Sequence, residues 1–93
     1  MVTPKMRRRI KHELSDERPT VWIGKKGVSE EIFAEIDAQL ERTEMVKGKI
    51  LKTALGERNA KEVASRIAQQ TNSTLVEVRG HTFMLYRKKK KNA

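Results

Sequence analysis

Residues 20–33 read T-V-W-I-G-K-K-G-V-S-E-E-I-F. The opening T-V-W-I-G is β-branched and aromatic, which predicts a short strand buried on most of its surface. Ser29 offers a helix cap, and Glu30 and Glu31 fall in the first turn, where the positive end of the helix dipole favours acids. Val28 before the cap and Phe33 after it have the spacing of a hydrophobic staple. Between strand and helix stands Gly24-Lys25-Lys26-Gly27. Two readings of that junction are open. It is a tight connector whose lysines face water, or it is a phosphate cradle: the glycines leave the main-chain amides approachable, the helix start directs unpaired N–H groups at the same spot, and two lysines add charge. It is not the Walker pattern, which has a longer glycine spacing and a Lys-Ser or Lys-Thr end. Glu30 and Glu31 oppose an anion there unless their side chains turn aside.

Working outward, residues 5–16 contain no helix breaker and repeat Met6, Ile10 and Leu14 at spacing four, an apolar stripe on a basic helix. Pro19 ends that pattern. Downstream of the junction, Ile32, Ile36 and Leu40 form the buried stripe of a second helix, whose other face carries Glu35, Asp37 and Glu41. Residues 45–52, M-V-K-G-K-I-L-K, alternate: Val46, Gly48 and Ile50 face one way, Lys47 and Lys49 the other. L-G-E-R-N-A reads as turn material, and residues 60–71 form a third helix with Val63, Ala64, Ile67 and Ala68 inward. Residues 75–79 and 82–87 make a hairpin around Gly80-His81. The order α-β-α-β-α-β-β predicts a two-layer α/β fold with a four-stranded mixed sheet, its first three strands parallel and the last antiparallel.

With 93 residues and no cysteine, the chain suits one domain held by packing alone. We expect a domain over residues 1–87 and a basic tail over 88–93. No window approaches the ~18 apolar residues of a membrane span, and a cytoplasmic monomer is expected. The net charge of +9 is unevenly placed. Residues 1–18 hold six bases and three acids, residues 19–86 ten bases and nine acids, and residues 87–93 five bases and no acid. A nearly neutral body with two basic ends suits a polyanion. The lysine run is equally consistent with a solvated tail.

The strand-G-x-x-G-helix junction I-G-K-K-G-V-S-E, the V-K-G-K-I strand and the ending V-R-G-H-T-F-M-L-Y-R together resemble the CRM domain, the YhbY-like family of RNA-binding proteins, over about residues 5–88. The resemblance implies the fold of the C-terminal domain of translation initiation factor three, with sheet order 1-2-4-3. It implies that Gly24, Lys25, Lys26 and Gly27 contact the RNA backbone, as the comparable loop of KH domains does. It also implies association with large-subunit ribosomal RNA precursors, the role of single-domain members, or with intron splicing, the role of multi-domain plant members. The chain departs from the family pattern at Gly48, where an apolar strand residue is usual, and in the Lys88–Lys91 tail.

The candidate RNA surface therefore centres on Gly24, Lys25, Lys26 and Gly27 and extends through Lys47, Lys49, Arg7, Arg8, Arg9, Lys11, Arg79, Arg87 and Lys88, provided the fold brings them to one side. Trp22 is assigned to the core, as large aromatics in short apolar strands usually are, so shape and phosphate spacing should outweigh base stacking. Met84 and Tyr86 share the strand face opposite Phe83 and Leu85; the phenol of Tyr86 either reaches a surface or satisfies a hydrogen bond. His12 and His81 have no sequence-local partner to tune them, so no enzyme is expected, and no metal or cofactor motif is present in the sequence. The leading expectation is an RNA-binding assembly or folding factor for the large ribosomal subunit. Its rival is an adaptor whose basic ends bind an acidic protein or an anionic membrane, with the acidic second helix as a further protein-docking face.

Overall fold

The computed structural model describes residues 2–24, 27–55 and 59–88. Lys25, Lys26 and residues 89–93 of the expected tail lie outside the described residues.

Local chemistry sets the elements. Helix α1 (Pro4–Ser15) begins where the Thr3 hydroxyl accepts the Met6 amide at 3.1 Å, with proline in its first turn, where a missing N–H does no harm. Strand β1 (Val21–Ile23) leads through the glycine loop to α2 (Glu30–Thr43), capped by Ser29 as expected. Val28 and Phe33, the two staple positions, both pack on the main core. Strand β2 (Met45–Ile50) is followed by α3 (Lys52–Leu55), a single turn that the sequence pattern does not announce, because four residues are too few to show a period. Asn59 caps α4 (Ala60–Gln70), and β3 (Thr74–Arg79) and β4 (Thr82–Tyr86) form the hairpin.

The sheet order is β1-β2-β4-β3. Strands β1 and β2 pair in parallel, and β4 runs antiparallel to both β2 and β3, so the first three strands share a direction and the fourth opposes them. On one sheet face α2 and α4 close the main core, with Ile23, Ile36, Leu40, Ile50, Ile67, Phe83 and Leu85 fully buried. The expected two layers are this sheet and these helices. A third, partial layer is added by α1, which lies on the opposite face chiefly against β3 and β4, where Ile10 and Leu14 meet Val76 and Met84. Tyr86 packs at the margin of that smaller cluster.

Two departures from regular strand geometry matter. Pairing slips between Leu75 and Glu77, so the bulge at Val76 turns both Val76 and Glu77 toward α1. The carbonyl of Val76 accepts from Arg7 Nη1 at 2.6 Å. In β2, Gly48 lies opposite Phe83, and a Cβ at that glycine would stand 2.1 Å from the ring. The phenylalanine ring thus fills the place of the apolar side chain that β2 lacks, which resolves the departure at Gly48 without loss of packing.

Candidate nucleic-acid interface

The two glycines of the junction are tied to each other: the Gly27 amide donates to the Gly24 carbonyl at 2.8 Å. Gly27 adopts φ +68°, a left-handed conformation that favours glycine, and among the described residues no atom beyond its chain neighbours lies within 4 Å of where its Cβ would be. At Gly24 a Cβ would meet only Leu51 Cδ1, at 3.8 Å, an ordinary contact. The open approach is therefore at Gly27. Its own amide is committed to Gly24, so the donors aimed outward come from the first turn of α2. There Ser29 Oγ accepts the Ile32 amide at 3.4 Å, and helix geometry gives the amides of Glu30 and Glu31 no intrahelical acceptor.

Strand register decides which bases join this loop. Trp22 of β1 is level with Lys49 of β2, Lys49 with Thr82 of β4, and Thr82 with Arg79 of β3. These residues form one row across the sheet on the α1 side, at the end where β1 enters the glycine loop. Lys49 is exposed, and the Arg79 side chain is 76% exposed. Lys11 of α1 reaches the same corner through Glu77, its ammonium 3.0 Å from Oε1, while Arg79 stands 3.7 Å from that oxygen. The other carboxylate oxygen of Glu77 is buried without a partner among the described residues. Arg8 and Arg9 are exposed on α1, the latter paired with Glu13 at 3.3 Å.

Other bases of the expected surface are engaged inside the fold. The Lys47 ammonium donates to the carbonyls of Leu14 at 2.8 Å and Glu17 at 2.9 Å, closing the C-terminal end of α1, where carbonyls lack helical partners and the dipole favours a cation. Arg87 donates to Asp37 Oδ1 at 2.5 Å, to the Thr71 carbonyl at 2.7 Å and to Glu41 Oε1 at 3.0 Å, with its side chain 17% exposed. It ties the acidic face of α2 to the end of α4. Arg87 and Lys88 also follow β4 at the end of the sheet remote from the glycine loop, since Tyr86 is level with Met45 at the start of β2. The fold thus brings Gly24, Gly27, Lys49, Arg79 and Lys11 toward one end and leaves Arg87 and Lys88 at the other.

The chain has counterparts among known proteins. Residues 2–87 match the CRS1 / YhbY (CRM) domain model. The chain belongs to the CRM domain family. It is 35% identical over 86 residues to "Probable RNA-binding protein MJ0652" of Methanocaldococcus jannaschii, covering 92% of this chain and 63% of that relative's length. It is 29% identical to "Probable RNA-binding protein YqeI" of Bacillus subtilis, covering 99% of this chain and 94% of the relative. The solution structure of SAV1595 from Staphylococcus aureus superimposes with a TM-score of 0.78 at 32% identity, over 100% of this chain and 95% of the other. These relatives carry RNA-binding names, not enzymatic ones. His12, exposed on α1, and His81, in the β3–β4 turn, belong to no cluster of three or more potential metal ligands among the described residues.

Trp22 is where the structure overturns the sequence reading. It is 53% exposed, whereas its neighbours Val21 and Ile23 are buried. The run V-W-I is apolar throughout and gives no alternation to read. The only signal is position: in a three-residue strand flanked by two core residues, the middle one must point to the other face.

Proposed function

We propose that this CRM domain protein binds RNA through the sugar-phosphate backbone, with Gly24, Lys25, Lys26 and Gly27 at the centre and Lys49, Arg79, Lys11, Arg8 and Arg9 as the flanking field, and that it acts as an assembly or folding factor for the large ribosomal subunit. The observation that carries this reading is the shared end of the sheet. The glycine loop, the start of α2 and the exposed Lys49 and Arg79 all lie there, so a strand crossing the loop also meets cations placed by rigid strands. Lys47 and Arg87 contribute less, because a phosphate must displace carbonyl or carboxylate partners they already hold. The bases from Lys88 onward raise the local concentration of any polyanion. The working partner is a ribosomal RNA precursor, met by a monomer in the cytoplasm. No helix among the described residues is long and apolar enough to cross a membrane. The adaptor alternative has less support, since Asp37 and Glu41, on which an acidic docking face depends, hold Arg87.

The test is Lys25→Ala with Lys26→Ala, titrated against a large-subunit ribosomal RNA fragment over a range of salt. If the two lysines contact two phosphates, the salt slope falls in magnitude by about 1.4 on the single-strand coefficient, with an unchanged circular dichroism spectrum. An unchanged slope and affinity would remove the loop from the interface. Sedimentation of extracts with and without ribonuclease tests the particle: RNA-dependent migration with large-subunit precursors is expected.

A further inference from the structure

We propose that Trp22 is a stacking platform for one unpaired nucleobase of an RNA strand whose phosphates lie on the glycine loop. The proposal rests on the RNA-binding reading above and adds to it a base contact and a preference for single-stranded over duplex RNA.

Among the described residues the exposed large hydrophobic side chains are Trp22 at 53% and Leu51 at 39%, and both lie beside the glycine loop. Trp22 is two residues before Gly24, and Leu51 Cδ1 approaches Gly24. A single exposed leucine needs no explanation, but an indole and a leucine together on an otherwise basic end of the sheet form an apolar step among cations. Helix α1 packs chiefly on β3 and β4, so the indole stands on the edge strand with its surface open.

Charge selects the occupant. Level with Trp22 across the sheet are Lys49, Thr82 and Arg79, two cations and a hydroxyl with no acid in the row. An RNA strand offers both halves of the match: phosphates for Lys49 and the loop, and a flat π-face for the indole. Stacking on an aromatic side chain tolerates any base, while a duplex hides its base faces. Shape recognition through phosphates and capture of one splayed base are then concurrent rather than alternative.

Trp22 is the sole tryptophan of the chain, so its fluorescence reports this position alone. The probes are an unstructured ten-nucleotide RNA of adenosine and cytidine and a twelve-base-pair RNA duplex, each also carrying a dye for anisotropy. The single strand should quench the indole with the same midpoint as the anisotropy change, and the duplex should leave it largely unquenched. Trp22→Ala should weaken the single strand about tenfold, the scale of one lost base stack, and the duplex less than about twofold. Trp22→Phe should restore most of the single-strand affinity. Urea denaturation of both variants establishes that they fold. Anisotropy that reports binding while the indole stays unquenched, or equal weakening of both RNAs by Trp22→Ala, overturns the platform and leaves the phosphate interface standing. Failure of wild type to bind either RNA overturns both.

Discussion

Arg79 and Arg87 bound the same hairpin and meet opposite fates. Arg79, at the end shared with the glycine loop, is 76% exposed and stands 3.7 Å from one Glu77 carboxylate oxygen. Arg87, at the far end, is 17% exposed and donates to Asp37, Glu41 and the Thr71 carbonyl. Lys49 and Lys47 repeat the contrast on one strand, the first exposed and the second capping α1. The lesson is that formal charge and available charge differ. A base near helix termini or acids is drawn into the fold, and a base at an open strand end is left for a partner.

The largest effect that could break this contrast is on stability. Arg87→Ala removes a clasp between α2 and α4 and leaves Asp37 and Glu41 as uncompensated neighbours. Both carboxylates are more than half exposed, so solvent screening limits the loss to about 2 kcal/mol, read by urea denaturation. RNA affinity of the folded protein should hardly move, and a marked drop would mean that Arg87 leaves its partners to bind.

The converse variant sharpens the contrast. Lys49→Ala with Arg79→Ala should shift stability by less than about 0.5 kcal/mol, as changes at exposed sites do. The same variant should lower the salt slope by about 1.4, one phosphate contact for each base. Equal changes in stability and slope would erase the distinction between the two ends.

The smallest expected effect is a gain. If Lys11 and Arg79 meet phosphate, Glu77 competes for them, so Glu77→Gln should raise RNA affinity about twofold, the scale of a weak ion pair, in a filter-binding titration. Weaker binding would show instead that Glu77 holds Lys11 in the geometry that RNA requires.

Much of the fold was legible because local patterns agreed with one another. Ser29 and its staple marked the start of α2, alternation from Val46 to Ile50 sorted β2 into core and surface, and the Gly80-His81 turn set the hairpin. The resemblance supplied the strand order. The candidate surface was legible only as a set of bases, because which of them stay free depends on contacts distant in sequence. Lys47 is engaged because the end of α1 passes over β2, and Arg87 because α2 and α4 converge on it. Trp22 was misread for a related reason: hydrophobicity records a preference for burial, while exposure depends on whether another element covers that face. Neither the bulge at Val76 nor the single turn of α3 is long enough to leave a periodic trace.

The vacancy at Gly48 has a consequence for how this chain can change over generations. Phe83 supplies from β4 the bulk that β2 omits, so the two positions share one volume. A lone mutation to valine at residue 48 collides with the ring, and a lone mutation to alanine at residue 83 leaves a hole against the glycine. The route between a glycine–phenylalanine pair and a pair of medium-sized residues therefore passes through a damaged intermediate, so the two positions should change together. Viewed along β2 alone the glycine is a gap in a strand, and only the pair with Phe83 makes it intelligible.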